Sequence, residues 1–443
     1  MKKLFTTLSN IWKIEDLRVR ILNTLLFLLI YRIGSFIVLP GVSPVALQNQ
    51  EKEGLLGLLN MFAGGSFSRA SIFALGVMPY ISASIVVQLL GIAIPYFQKM
   101  QKEGESGRKK LSQLTRYLTV IITLVQATAY ARTQIEPDAR FMPDPWFTIS
   151  SMVILTAGTL FVMWLGEKIT DKGIGNGISL IIMAGIIAQL PSGLMSEFQS
   201  RIGGNGGIIA FTVELIALFF VVVFTILIVQ GVRKIPVQYA KKIVGNKQYG
   251  GVRQYIPLKV NAAGVMPIIF AQAIMFIPLS IGQFFPNAQG SFLTALSNYT
   301  SWQYNLIFAF LIIAFTFFYT AITVNPVQMS DDMKKNGGFI PGVKPGATTG
   351  EYIDAVISKI TLPGSVFLAI IAILPSIASI LGVNTNFAHF YGGTSLLILV
   401  GVVLDTLQQI ESHLLMRHYD GLMKTGRLKG RTAVSSGAAG PVI

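Results

Sequence analysis

The feature that most constrains this chain is a series of apolar runs, each about as long as a bilayer is thick, with positive charge placed in alternate gaps between them. A hydrocarbon core of ~30 Å needs about 20 apolar residues of helix. Hydropathy predicts ten such spans, at 21–40, 70–97, 112–131, 148–166, 177–195, 207–231, 261–281, 303–324, 361–381 and 393–412. Of all residues 52% are hydrophobic and only 12% are charged, whereas a soluble domain carries about 25% charged residues. The segment 1–10 is short and Lys-bearing, and no small-residue cleavage site follows the first run. Residues 21–39 therefore read as a retained first span and not as a signal peptide.

An even number of spans places both termini on one side. Charge then segregates: 29 of the 35 Lys and Arg residues fall in the N-terminal segment, the even-numbered gaps and the C-terminal tail. The positive-inside rule makes that side cytoplasmic. The expected fold is all-α: a polytopic membrane protein with ten transmembrane helices.

Several chemistries are excluded. There is no cysteine, so neither a disulfide frame nor a thiolate metal site can form. Three histidines (His389, His413, His418) are too few for a histidine-rich metal cage. No Gly-x-x-x-x-Gly-Lys-Ser/Thr loop occurs, so nucleotide hydrolysis is not expected of this chain, and no cofactor is expected. Carriers coupled to ions place carboxylates or broken helices at mid-depth. Here Arg32 is the one clearly central charge, while Glu214, Asp405 and Glu411 sit near span ends. Energy for any transport would come from a partner.

Three segments outside the spans stand out. The cytosolic gap 232–260 alternates apolar, aromatic and basic residues around Gly250-Gly251, which predicts a β-hairpin. The gap 325–360 has helix-like ends around a Gly/Pro tip, 339–346. Long loops in a compact protein are usually functional. On residues alone, the two could be solvated topology anchors, or a docking platform drawing an acidic surface or RNA phosphate. The external segment 41–69 holds an apolar stretch, 55–62, too short to span. It must lie on the membrane or fold back into a protein-lined cavity, with Gly64, Gly65 and Ser66 as a flexible hinge.

The stretch 60–85, NMFAGGSFSRASIFALGVMPYISASI, resembles the plug and second-span signature of the SecY family of bacterial protein-conducting channels. So do KEGESGR (102–108), GIGNGIS (173–179), PLKVN (257–261) and GGTSLLI (392–398). The resemblance runs in order along essentially the whole chain. It implies two inverted, pseudo-symmetric halves, with boundaries at 1–20 (cytosolic segment), 21–195 (spans 1–5 and a plug at about 55–65), 196–412 (spans 6–10 and the two loops) and 413–443 (cytosolic tail). The implied function is to conduct unfolded secretory polypeptides across the membrane and to release hydrophobic segments sideways into lipid.

By motif match, the resemblance implies an apolar pore ring of Val77, Ile81, Ile178, Ile182, Ile269 and Ile398. A narrow apolar neck dewets and blocks ions. Pairs such as 77/81 and 178/182 do share one helix face, but Ile at that spacing is ordinary in any membrane helix. Family members mostly place isoleucine where Val77 stands. The implied plug comprises Leu55, Leu58, Leu59, Met61, Phe62, Gly64 and Gly65. A lateral gate would include Ser82, Gln88, Asn261 and Phe276, although Gln88 and Asn261 could equally make ordinary interhelical hydrogen bonds. Contacts to the motor and ribosome are implied for Arg233, Lys234, Lys241, Arg253, Lys344 and Tyr419. Many relatives carry Arg where Lys344 stands; lysine keeps the charge but loses the planar fork. Implied partners are SecE and SecG, the SecA motor ATPase, the ribosome, signal peptides and nascent polypeptides, an accessory membrane insertase, SecD and SecF, and anionic lipids, with no sequence-specific nucleic acid. The bacterial cytoplasmic membrane is the implied location. A solute carrier and a pore-less scaffold are the competing readings; neither needs a plug, a ring and long basic loops together.

Overall fold

The computed structural model describes residues 12, 14–43, 55–203, 207–239, 242–244, 247–249, 253–272, 274–275, 296, 298 and 300–425. Apolar runs at helical length give the membrane part: α1 (Glu15–Gly34), α2 (Leu55–Phe62), α3 (Met78–Ala93), α4 (Pro95–Lys102), α5 (Glu105–Thr133), α6 (Asp144–Lys172), α7 (Gly177–Ile202) and α8 (Gly207–Val229). A small β module follows, with strands β1 (Val232–Tyr239), β2 (Lys242–Val244), β3 (Lys247–Tyr249) and β4 (Arg253–Lys259). The chain continues through α9 (Trp302–Thr323), α10 (Pro326–Lys335), β5 (Gly338–Phe339), α11 (Ala347–Ile380) and α12 (Gly393–Thr425).

Among the described residues, six helices are long and apolar enough to cross a membrane, and the bent pair α3–α4 would make a seventh. Helices α1 and α5 cover the first and third predicted spans. The predicted span 261–281 is helical at 266–272, and its residues from 276 on lie outside the described residues. Ten spans fit this fold.

Two predicted span ends are not helical. Residues 35–40 and 70–77, expected to extend the first span and open the second, pair with each other: Val38 and Ser71 form a β-bridge. Leu39 N donates to Ala70 O at 2.8 Å, and Ile72 N to Ile37 O at 2.9 Å. Leu39 and Ala70 are buried, so these bonds satisfy backbone groups that water cannot reach. The far end of the second span also breaks. Ile94 precedes Pro95 and takes an extended conformation (φ −113°, ψ 122°), as the clash with the proline ring demands. Helix α4 leaves at 103°.

Small residues let the helices approach. On α5, Thr115, Thr119 and Thr123 form a buried stripe. Each hydroxyl is satisfied by the carbonyl one turn back, at 2.9, 2.7 and 2.6 Å. Helix α8 is the opposite case. Its apolar side chains, among them Ile209, Phe219, Phe220 and Leu227, are exposed, as a lipid-facing helix requires.

The two long gaps, 232–260 and 325–360, form one folded unit. Strand β1 pairs antiparallel with β4 from Val232↔Lys259 to Gln238↔Arg253, and β5 of the second gap pairs with the other edge of β1. Ile235, Val237, Leu258, Met333, Ile340 and Ile353 bury a common core. The expected reversal around Gly250-Gly251 lies outside the described residues. Strands β2 and β3 pair antiparallel from Lys242↔Tyr249 to Val244↔Lys247. Most of the 325–360 gap is helical, since α10 occupies its start and α11 runs unbroken from Ala347 into the membrane.

Candidate functional site

Asn176 starts α7 by accepting a hydrogen bond from Ser179 N at 3.3 Å. That cap fixes which residues share a face: 178, 182, 185 and 189 fall along one side at helical spacing. Ile178 and Ile182 lie in a buried apolar cluster that also takes in Val77, Ile81 and Ile398. Val77 directly precedes α3, Ile81 sits in its first turn, and Ile398 lies in the first turns of α12. Five of the six expected ring residues thus come together. Ile269 is not among them; Val265, four residues earlier, packs against the cluster instead. Residues 261–265 are turns and helix begins only at 266, so a register read as continuous helix would not hold there.

Met61 and Phe62 of α2 belong to the same cluster. The segment carrying them is closely held. Gly185 faces it: a Cβ there would stand 2.6 Å from Phe62 O and 3.1 Å from Gly64 N. Gly64 has φ +64° and would meet Gly185 Cα at 2.9 Å. Two glycines therefore allow backbone to touch backbone, and at Gly64 the positive φ also favours the residue without a Cβ. Polar groups complete the seat. Gln189 Nε2 donates to Asn60 O at 3.1 Å, and Asn60 Oδ1 accepts from Ser68 N and Oγ at 3.0 and 2.9 Å. Arg32 Nη1 and Arg69 Nη2 both donate to Gly64 O, at 3.2 and 3.0 Å. Sequence reasoning singled out Arg32 as a lone central charge but did not see its acceptor, and it missed Arg69, Gln189 and Gly185. The side chains of Leu55, Leu58 and Leu59 lie outside the described residues.

On the β module, directly opposed residues of an antiparallel pair share a face. Arg253 opposes Gln238, Tyr255 opposes Pro236, and Pro257 opposes Lys234. Lys234, Tyr255 and Lys259 therefore stand on the face opposite the buried Ile235 and Val237, and Tyr255 is 58% exposed; the side chain of Arg253 lies outside the described residues. Arg233 is exposed too, on the other face near the sheet's end. Lys344 is exposed in the turn between Gly342 (φ +88°) and Gly346 (φ +107°). That turn is tied down by Thr349 Oγ1 donating to Lys344 O at 2.8 Å and Ser330 Oγ to Gly346 O at 2.6 Å. Lys241 lies outside the described residues, as does the side chain of Tyr419 on α12.

A SecY family model matches residues 71–407. The protein translocase subunit SecY of Streptomyces scabiei is 43% identical over 448 residues, covering 95% of this chain and 100% of that protein. The chain belongs to the SecY family. Among solved structures, a protein-conducting channel matches with a TM-score of 0.64 at 19% identity, over 93% of this chain and 95% of that one. A channel from the canine ribosome–channel complex of the endoplasmic reticulum matches with a TM-score of 0.61 at 18% identity, with the same coverage. At those identities the structures speak for the fold. Family membership makes the chain a membrane-embedded channel subunit of a protein translocase.

The positions that resemble the family's lateral gate are less assembled. Ser82 Oγ donates to Met78 O at 3.1 Å, and Gln88 Nε2 to Ser84 Oγ at 3.3 Å, both within α3. Asn261 is buried, and its Oδ1 has no partner among the described residues. Phe276 lies outside them.

Proposed function

We propose that this SecY-family subunit holds a closed apolar neck, formed by Val77, Ile81, Ile178, Ile182 and Ile398, with the 55–65 segment seated in it as a plug. The single observation that carries this is their common cluster: neck side chains from α3, α7 and α12 pack with Met61 and Phe62 of the short non-spanning helix. Dry branched side chains stop ions, yet can part around an extended polypeptide. An unfolded client would displace α2 and pass between the two halves, and a hydrophobic segment would leave sideways past Ser82, Gln88 and Asn261 into lipid. Asn261, buried with an oxygen that has no partner among the described residues, suits a position whose surroundings change between states.

Driving force would come from outside the chain, through the cytosolic module. Its outer face carries Lys234, Tyr255 and Lys259, with Arg253 in the same strand as Tyr255, and the Lys344 turn is exposed. A motor ATPase or a translating ribosome, acidic or phosphate-rich, would dock there. The charge pattern supports a cytoplasmic-membrane protein with both termini inside. The test is a crosslink from a stalled secretory chain to single cysteines introduced into this cysteine-free protein. Ile81→Cys, Ile182→Cys and Ile398→Cys should react with the transiting chain, while lipid-facing Phe219→Cys should not. Reaction at Phe219→Cys alone would refute the neck.

A further inference from the structure

We propose that Arg32 and Arg69 are positioning residues that latch the plug, sharing one backbone carbonyl as a release point. The inference rests on the reading of 55–65 as a plug and adds what holds it. Both guanidinium groups donate to Gly64 O, at 3.2 and 3.0 Å. A carbonyl has two lone pairs, so it accepts both. Both groups also lie over the ring of Phe36, at 5.2 and 4.5 Å from its centroid. The aromatic face attracts each cation and fixes the pair in one place. Among the described residues, neither forms an ion pair with a carboxylate.

That last feature decides the character of the latch. Two like charges are brought side by side, and an arginine stands within a membrane span, where charge is costly unless it is satisfied. A carboxylate partner would hold permanently. A neutral carbonyl gives charge-assisted hydrogen bonds that a passing chain can break. The carbonyl offered is that of Gly64, at the hinge where positive-φ backbone turns out of α2. Tyr31, one residue before Arg32, donates to Ala63 O at 3.4 Å, so the first span grips two successive plug carbonyls. Gln189 Nε2 on α7 donates to Asn60 O at 3.1 Å.

The test reads plug position and ion flow separately, in the assembled translocase in vesicles. Met61→Cys places a thiol on the plug where Met61 is 3% exposed. A membrane-impermeant maleimide added outside should react slowly with it. Adding Arg32→Met and Arg69→Met together should speed labelling at least tenfold. Each single change should do less than the square root of that, because the remaining arginine keeps the shared oxygen. Unchanged labelling in the double variant would overturn the latch, as would equal acceleration at Leu155→Cys, a fully buried site on α6. Faster labelling with unchanged resting ion conductance would leave the latch standing and sink the reading of this segment as a seal. If the double methionine variant does not accumulate, Arg32→Lys with Arg69→Lys decides: a smaller rise is expected, since lysine lacks the planar fork, and no rise would overturn the latch.

Discussion

Gly185→Ala is the sharpest test of how the proposed plug, residues 55–65, is seated, because two effects of one methyl group have opposite signs. In a helix interior, alanine is favoured over glycine by about 1 kcal/mol. If nothing packed against Gly185, the variant would simply be more stable. The added Cβ would instead stand 2.6 Å from Phe62 O and 3.1 Å from Gly64 N. Both are backbone atoms, so no side-chain rotation relieves the clash, and the plug must move. Overpacking of this kind costs about 1–3 kcal/mol. The helix gain is present whether the plug is seated or displaced, so it cancels from the gating equilibrium. The displaced population should then rise by a factor of roughly 5–150, at about 1.4 kcal/mol per tenfold. The assay is resting ion conductance of the purified translocase in planar bilayers, without a client, beside a thermal melt of the same preparation. A several-fold rise in conductance is expected. Unchanged conductance together with a higher melting temperature would mean that α7 and the plug do not touch at Gly185, and the seating argument would fail.

Three further outcomes are expected. Ile398→Asn should wet the neck, raise ion leak and admit clients with defective signal sequences, whereas Ile269→Asn should do so far less because Ile269 stands outside the apolar cluster; equal leak in the two variants would show the cluster is not the seal. Lys234→Glu with Arg253→Glu should impair motor-driven export or ribosome docking with helical content intact, and in the parent protein the same contact should weaken with salt, since exposed charges are screened within about 8 Å; full transport by the double variant would reduce the module to a topology anchor. Burial holds the His389 imidazole down at about 4, while the unfolded chain takes up its proton near 6.5. Folded stability should therefore be complete above that pH and fall by about 3 kcal/mol on acidification to pH 4; His389→Gln should flatten this acid limb of the unfolding curve, and an identical limb would refute the assignment.

What was legible in the sequence follows the range of the forces involved. Span positions were readable because solvation in lipid acts on about 20 consecutive residues, and every predicted span overlaps a helix. Their ends were not. The pairing of 37–39 with 70–72 joins residues over 30 positions apart, and hydropathy scores both stretches as ordinary span. The i,i+4 pairs 77/81 and 178/182 were readable as shared faces, whereas Ile269 stood alone and its register depended on where turns give way to helix. The basic character of the two cytosolic loops was plain. That they fold together was not, because β5 contributes only Gly338 and Phe339 to the sheet, too short a strand to announce its partner. Arg32 was conspicuous as an intramembrane charge, but its acceptor is a backbone oxygen, and backbone carries no sequence signal.

Helix α11 joins the β module to the membrane part without a break. Its Ile353 is fully buried in the module core, and its Phe367, Leu368 and Ile371 are buried in a membrane-level core with α9 and residues 268–275. At 1.5 Å per residue, its 34 residues make a rod of about 50 Å, some 20 Å longer than the hydrocarbon is thick. A load applied at the module is therefore delivered as torque about the membrane surface and does not dissipate in a flexible tether. Tilting such a rod by 10° swings one end by roughly 9 Å relative to the other, comparable to a helix diameter. Pro363 and Pro375 lie within it and lack the backbone donors that would stiffen those turns. They set where the lever can flex, and so how much of a push on the module arrives at the far side of the bilayer as displacement.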